Sequence, residues 1–505
     1  MRRAYLMGID NGGTVTKAAV YDTAGNEVAV CGVKTEMLFP AAGHAERNME
    51  DLWHANAHVV REVIDKAGIR ADQVEGVAVA GHGNGLYLVD AEGRPVRNGI
   101  NSADNRAADY VARWYQDGTF DRIFPITCQS LWAAQPVALL SWFRDHDPSA
   151  LDRTRWIFMC KDYIRYRLTG EPVAELTDYS GTNLMNIRDL VYDPDVLGAL
   201  GIADMTCKLP PVRRSAEVCG RVSRAAADAT GLREGTPVAG GLFDIDACAI
   251  ATGITDSDRL CLIAGSWSIN EFISRSPVQD RDIFMTSAYC VPGWWLVTEA
   301  SATSASNLEW VLSHLLAGEQ AEAKVRGCSV YDLVNAAVDD VKPSDDDPVF
   351  LPFLYSSNES PGASGSFLGL HGWHTKAHVL RAVYEGITFS HKTHIDRLLG
   401  HRGPARAARI AGGAARSAVW VQMFADVLQL PIELPACEEL GAMGAALCAG
   451  VSVGLFASFP EAVEAMVRVS RTVEPRAEYR RVYMEKHARY RQLISSLQGA
   501  WQPRA

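Results

Sequence analysis

Two stretches of the chain share one pattern of apolar and polar positions. Tyr5-Leu6-Met7-Gly8-Ile9 is apolar, Asp10-Asn11-Gly12-Gly13-Thr14 is polar and glycine-rich, and Val15–Asp22 interleaves apolar with polar residues. An apolar run, a Gly-Gly break and an alternating run predict a β-hairpin. About half a chain later Leu260-Cys261-Leu262-Ile263-Ala264 meets Gly265-Ser266 and returns as the alternating run Trp267–Ser274. The repeat predicts two lobes built alike, each offering one hairpin to a ligand held between them. Two ordinary hairpins in unrelated domains are the plainer alternative.

Between and after the hairpins, helical and strand periodicities alternate, the sign of α/β layers. Leu52, Val59, Val60 and Val63 fall on one face of a helix over Met49–Ala67, followed by the strand Val74–Ala80. Trp156–Met159 predicts a strand and Lys161–Leu168 a short helix ended by Thr169-Gly170; Thr236–Gly241 is a strand closing on glycines. The second half predicts helices at Ala377–Leu399, Ala418–Leu428 and Tyr479–Leu497, with a strand at Ala408–Gly413. The polar turn Ile254–Asp258 places a boundary between domains 1–254 and 255–505. Leu440–Pro460 has no charge, yet Gly441, Gly444, Gly450 and Gly454 make it small-residue-rich, predicting a close-packed buried helix at Gly441–Ala449 rather than a membrane span.

With 505 residues, 48% hydrophobic and 22% charged, the chain has the composition of a globular protein with large cores. A net charge of −11 without a Lys/Arg block argues against nucleic acid as partner, although a local Arg cluster could still hold an anionic sugar. Eleven cysteines are scattered singly, which suggests reduced thiols and neither zinc nor disulfides. Met1-Arg2-Arg3 leads directly into the first strand, so no signal peptide is expected there and the reading is cytoplasmic.

The first hairpin has the chemistry of a phosphate clamp. Gly12 and Gly13 lack a Cβ and let backbone N–H groups approach a phosphate, while Thr14, Thr16 and Lys17 add hydroxyl and ammonium donors. Asp10 supplies a carboxylate for a magnesium ion on those phosphates, or caps the turn by accepting N–H bonds from Asn11–Gly13. In the second hairpin Gly265, Ser266 and Ser268 offer the corresponding donors.

Gly365-Ser366-Phe367-Leu368-Gly369-Leu370, followed after seven residues by His378-Val379-Leu380-Arg381-Ala382-Val383-Tyr384-Glu385-Gly386, resembles the C-terminal signature of the FGGY carbohydrate kinases at each defined position. Ala411–Ser417, Trp420-Val421-Gln422, Ala425-Asp426-Val427 and Glu438…Gly444-Ala445-Ala446 follow in the family's order. The resemblance implies two actin-like, ribonuclease H-like ATPase lobes with a central cleft, ATP and Mg2+ as cofactors, a small sugar as substrate, and a homodimer as the oligomer to expect. Gly241-Leu242-Phe243-Asp244, Asp104 with Arg106, Ser130-Leu131-Trp132 and Leu351–Tyr355 are most similar to the L-xylulose and 3-dehydro-L-gulonate kinases. Two departures matter. Ala134 stands where glycerol kinases place a Tyr, and Gly81-His82-Gly83-Asn84-Gly85 replaces the Gly-Gln-Met-His-Gly of D-xylulose kinases.

On that resemblance Asp244, nine residues before Gly253, is the general base that takes the proton of the attacking sugar hydroxyl. Asp246 is its rival, because two residues on along an extended chain it would share a face; the spacing to Gly253 favours Asp244. Ile245 occupies the position where the family usually has an amide residue. Gly83 and Asn84 in the Gly81–Gly85 loop, with Asp104 and Arg106, are the sugar contacts, although Asp104 and Arg106 could equally form a structural ion pair. Gly412-Gly413 resembles the family's adenosine site. The expected function is ATP-dependent phosphorylation of a ketopentose or related keto-sugar. Other polyol and sugar kinases (erythritol, ribulose, glycerol), a partner-controlled actin-like ATPase, and a sugar sensor without turnover are the alternatives.

Overall fold

The computed structural model describes residues 4–355, 357–360 and 362–501. Met1-Arg2-Arg3, where no signal peptide is expected, lies outside them. The chain forms two compact units, neither of them continuous: the first runs through Thr255 and takes in Ile273–Val297 and Cys437–Arg468, and the second holds Asp256–Phe272, Thr298–Ala436 and the chain from Val469.

In the first unit the strand Tyr5–Asn11 pairs antiparallel with Val15–Asp22, which pairs antiparallel with Glu27–Lys34. On its other side Tyr5–Asn11 lies parallel to Val74–Gly81, which is parallel to Pro237–Ala239; the edge strand Val218–Arg221 runs antiparallel to that. Period-two alternation divides the first strand between two layers. Tyr5, Met7 and Ile9 enter the core made with Leu52, Val59, Val60 and Val63 of helix Met49–Ala67. Leu6 and Gly8 face the other way, onto helix Leu440–Ser452. That helix packs closely because a Cβ on Gly8 would overlap the Ala442 carbonyl, and one on Gly444 would overlap Ala247 of helix Asp244–Ala251.

The second unit repeats the succession of strand directions. Arg259–Ala264 is antiparallel to Ser268–Ser274 and parallel to Ala407–Ala411, which is parallel to Ile432–Pro435; Val469–Val473 closes the edge antiparallel. Helices Lys376–Leu399, Ala418–Leu428 and Arg480–Trp501 stand where periodicity predicts them, with Tyr483, His487 and Tyr490 of the last one buried. Helix Met49–Ala67 begins at Asn48, whose side chain accepts from the Glu50 and Asp51 N–H groups, and ends at Gly68 in the left-handed region. Among the described residues no helix is long and apolar enough to cross a membrane. One local expectation is corrected: the chain at Asp244 is helical rather than extended, so Asp244 and Asp246 point different ways.

Candidate active site

Three parallel strands of the first unit end level with one another. Asp10 and Asn11 pair with Ala80 and Gly81, and the short strand Leu242–Phe243 pairs with the same two residues from the other side. Asp10, the Gly81–Gly85 loop and Asp244 therefore leave the sheet together at the carboxyl ends of its strands, the usual place for a ligand in an α/β sheet.

Alternation fixes what each side chain of the first hairpin meets. Asn11 and Thr16 are register partners on the face of helix Met49–Ala67. There Thr16 is fully buried, its hydroxyl donating to Asn11 Oδ1 at 3.0 Å, while Asn56 Nδ2 donates to the same oxygen at 2.8 Å. Thr16 thus holds the hairpin together and offers no outward donor. Asp10 and Lys17 are partners on the opposite face, toward helix Leu440–Ser452. Lys17 Nζ is paired with Glu439 Oε2 at 2.6 Å. A Cβ on Gly441 would stand 2.6 Å from the Asp10 carboxyl carbon, so only glycine leaves that carboxylate room at the helix start.

No hydrogen bond or ion pair reaches the Asp10 carboxylate among the described residues, and the Gly12 N–H donates to Val15 O at 3.1 Å. Asp10 is therefore not a turn cap. Burial pushes its carboxyl up to about 6, against the pull of Lys17 and with a further push from Glu439. An ionisable carboxylate without a protein partner, beside a phosphate-type turn, fits a magnesium ligand.

Asp244 opens helix Asp244–Ala251 and is half-buried. Burial pushes it up to about 7, the negative charge of Asp10 adds to that, and the N–H groups of Ile245 and of Asp244 itself pull it back. Asp246 is fully buried and accepts from the Cys290 N–H at 3.2 Å, the contact of a core carboxylate. Phe243, just before Asp244, is held by its N–H donating to Thr177 Oγ1 at 2.9 Å.

The Gly81–Gly85 loop packs directly on that segment: a Cβ on Gly83 would strike the Phe243 ring and stand 2.8 Å from Asp178 Oδ1. Asn84 follows with a positive φ of 61°, and its buried Oδ1 has no hydrogen-bond partner among the described residues. Among the same residues both oxygens of Asp178, also buried, lack one as well. Burial holds the Asp178 carboxyl well above the usual carboxylate range despite Lys161 at 3.5 Å, and the charges of Asp162, Glu175 and Asp244 reinforce it. Buried acceptors without donors are rare. Here they belong to Asn84, the residue after Gly83, and to Asp178, whose Oδ1 a Cβ on Gly83 would approach to 2.8 Å. Sequence reasoning missed Asp178, because nothing local marks an acid whose partners are distant in the chain.

Asp104 and Arg106 form a closed, buried pair. Asp104 Oδ1 accepts from the Arg106 backbone N–H and from Nε, both at 2.9 Å, and Oδ2 accepts from Arg106 Nη2 at 2.9 Å and from the Ala45 N–H at 2.7 Å. Arg106 Nη2 also reaches Glu46 Oε1 at 2.7 Å, and the guanidinium lies over the Trp142 ring. That geometry is the ion-pair alternative. Asn101 ties the pair to the loop, accepting the Asp104 N–H and donating to His82 Nε2 at 3.3 Å. Burial, with the charge of Arg47, pulls the His82 imidazole down to about 3, so it is neutral and cannot act as an acid near pH 7.

Each hairpin turn is fastened from behind. In the first, Arg47 Nη1 and Nη2 donate to the Gly12 carbonyl at 3.5 and 3.4 Å, and Nη2 also to that of Gly13. In the second, the Gly265 carbonyl accepts from the Ala305 N–H at 2.9 Å and the Ser266 carbonyl from Ser306 Oγ at 2.8 Å. A planar peptide points its N–H opposite its C=O, so Gly13 and Thr14, and likewise Ser266 and Trp267, direct their N–H groups away from these anchors. Gly13, Thr14 and Ser266 are exposed. Ser268, by contrast, is fully buried, its hydroxyl 3.3 Å from Asn270 Nδ2 and 3.4 Å from His394 Nδ1. Gly412 has φ +88° and lies against Ala264-Gly265, where a Cβ would stand 2.6 Å from the Ala264 carbonyl; the exposed Gly412-Gly413 pair thus borders the second turn.

Two like-built α/β units, each with a fastened glycine hairpin, and in the first a pair of carboxylates at adjoining strand ends, define an ATPase-type phosphotransferase fold. Residues 5–251 match the N-terminal domain model, and residues 260–453 the C-terminal domain model, of the FGGY family of carbohydrate kinases. The chain belongs to that family. It is 39% identical to the L-xylulose/3-keto-L-gulonate kinase of Escherichia coli over 98% of this chain and 97% of that one. It is 36% identical to a probable L-xylulose kinase of Pasteurella multocida, over 98% and 99%. Among solved structures the xylulose kinase of Rhodospirillum rubrum superposes with a TM-score of 0.87 at 28% identity, covering 98% of this chain and 99% of that chain.

Proposed function

We propose that this chain transfers the terminal phosphoryl group of ATP to a hydroxyl of a keto-sugar of the L-xylulose class, with Asp244 as general base. The observation behind the reading is the placement of Asp10 and Asp244 at adjoining strand ends, beside a loop whose Asn84 offers a buried acceptor without a partner. The sugar chemistry is that of the L-xylulose kinases to which the chain is similar along nearly its whole length.

In this reading Asn84 accepts a sugar hydroxyl, Gly83 lets the chain approach the sugar closely, and Asp104 with Arg106 holds the loop's surroundings. Asp244 takes the proton as the hydroxyl oxygen attacks, and ADP leaves. The N–H groups of Gly13 and Thr14 and the Thr14 hydroxyl receive phosphate oxygens; Gly12 shapes the turn and Lys17 adds positive charge. Gly265 and Ser266 supply a second set of phosphate donors, and Gly412-Gly413 takes the adenosine. Asp10 holds Mg2+, which supplies charge neutralisation on the phosphates. Sugar and base thus belong to 1–254 and the adenosine to 255–505; cytoplasmic residence and a homodimer complete the reading.

The test is a coupled ADP assay over L-xylulose, D-xylulose, L-ribulose, D-ribulose, 3-dehydro-L-gulonate, glycerol and erythritol. The reading expects sugar-dependent ADP, highest with L-xylulose or 3-dehydro-L-gulonate. ADP release indifferent to every sugar contradicts it and marks a partner-controlled ATPase.

A further inference from the structure

Arg47 is a cation in a place where cations are normally paired. The residue is 1% exposed. Its terminal nitrogens are spent on the carbonyls of Gly12 and Gly13, and its Nε is buried with no acceptor among the described residues. Among the described residues no carboxylate forms an ion pair with it. Glu46, its neighbour in the chain, turns away to Arg97 at 2.6 Å and Arg106 at 2.7 Å. The groups around Arg47 respond to its charge: it helps to hold His82 neutral and acts to lower the Tyr87 hydroxyl and the Cys160 thiol, both otherwise raised by burial. Removing a guanidinium from water without an opposite charge is strongly unfavourable, so such a group marks a place where an anion completes the balance.

We propose that Arg47 is a positioning residue of the phosphate site: it draws the Gly12 and Gly13 carbonyls inward, turns the N–H groups of Gly13 and Thr14 toward the terminal phosphates of ATP, and has its charge balanced by theirs. The inference rests on the kinase reading above and adds to it one residue with no local sequence signal. Arg47 does not touch the phosphates; it acts through the turn and through its field. The bonds to these two carbonyls specify the peptide planes, because reversing either plane would leave the guanidinium with one acceptor fewer.

The full-length chain with Arg47→Met (similar bulk, no charge) and Arg47→Lys (charge without the fork) tests this. Thermal midpoints are measured with and without MgADP, and KM is measured for MgATP and for the sugar. The expected result is a rise of about tenfold or more in the KM for MgATP in Arg47→Met, with the sugar KM within about twofold. MgADP is expected to raise the midpoint of the wild type and to raise that of Arg47→Met much less, with Arg47→Lys between them. General structural damage would instead move both KM values together. Should Arg47→Met not fold, Arg47→Lys decides alone: a wild-type KM for MgATP and a wild-type MgADP shift overturn the proposal. If the wild type itself makes no sugar-dependent ADP, the kinase reading fails, and the MgADP shifts still judge Arg47 separately.

Discussion

Asp244 owes its basicity to burial and to a second carboxylate. A carboxyl near its usual value would be a weak base at pH 7; one raised to about 7 is half ionised there and takes a proton readily. For an acid raised by folding, the native state holds its proton longer than the unfolded chain, so this group lowers stability as pH climbs from the unfolded value toward 7 and activity rises over the same range. A 13C carboxyl titration of Asp244 should show a midpoint near 7, and Asp10→Asn should move it down, because the Asp10 charge is one of its causes. An unmoved midpoint would separate the two groups. If Asp10 is the magnesium ligand proposed above, Asp10→Ala should raise the magnesium concentration needed for half-maximal rate, since no hydrogen bond or ion pair among the described residues occupies its carboxylate. Asp246→Asn should lower the thermal midpoint and leave the chemical step alone, since Asp246 is fully buried and accepts from the Cys290 N–H. At this scale spacing and motif favour Asp244 as the proposed base, and the helix that opens there turns it and Asp246 different ways. Arg47 and Asp178 were invisible for a related reason: Arg47 meets backbone carbonyls in place of a carboxylate, Asp178 meets a lysine without a hydrogen bond, and these neighbours are set by the fold and not by the local sequence.

At the scale of elements, helix Leu440–Ser452 decides how much room Asp10 has. Gly8, Gly441 and Gly444 let it approach strand Tyr5–Asn11 and helix Asp244–Ala251 at once. Gly8→Ala would drive a methyl into the Ala442 carbonyl and should cost at least about 3 kcal/mol, read as a lower urea midpoint or a chain that does not fold. Gly441→Ala meets the movable end of a side chain instead, so it should fold and show a raised magnesium requirement like that of Asp10→Ala. An unchanged magnesium titration in Gly441→Ala would mean the carboxylate has space to spare. Both hairpins and the long helices were legible from periodicity because their cores follow the 2 and 3.6 repeats. The small-residue run at Leu440 announced close packing in the same way. The pattern did not tell which strand the helix packs on, nor that alternation turns Thr16 and Ser268 inward, away from any phosphate.

The whole molecule repeats one sheet plan in two units, and the likeness of the two hairpins foretold that. The chain's return to the first unit at Cys437–Arg468 was not foretold, since nothing local in a buried helix says which core it completes. The family's chemistry assigns the reaction to this plan, and the account stands or falls on one residue acting as base. The decisive measurement is sugar-dependent ADP formation by the wild type and by Asp244→Asn, with sugar and MgADP binding followed by calorimetry in both. The account predicts that Asp244→Asn binds both ligands within about twofold of the wild type while its turnover falls by roughly 10²–10⁴-fold. Turnover by Asp244→Asn at the wild-type rate would contradict it.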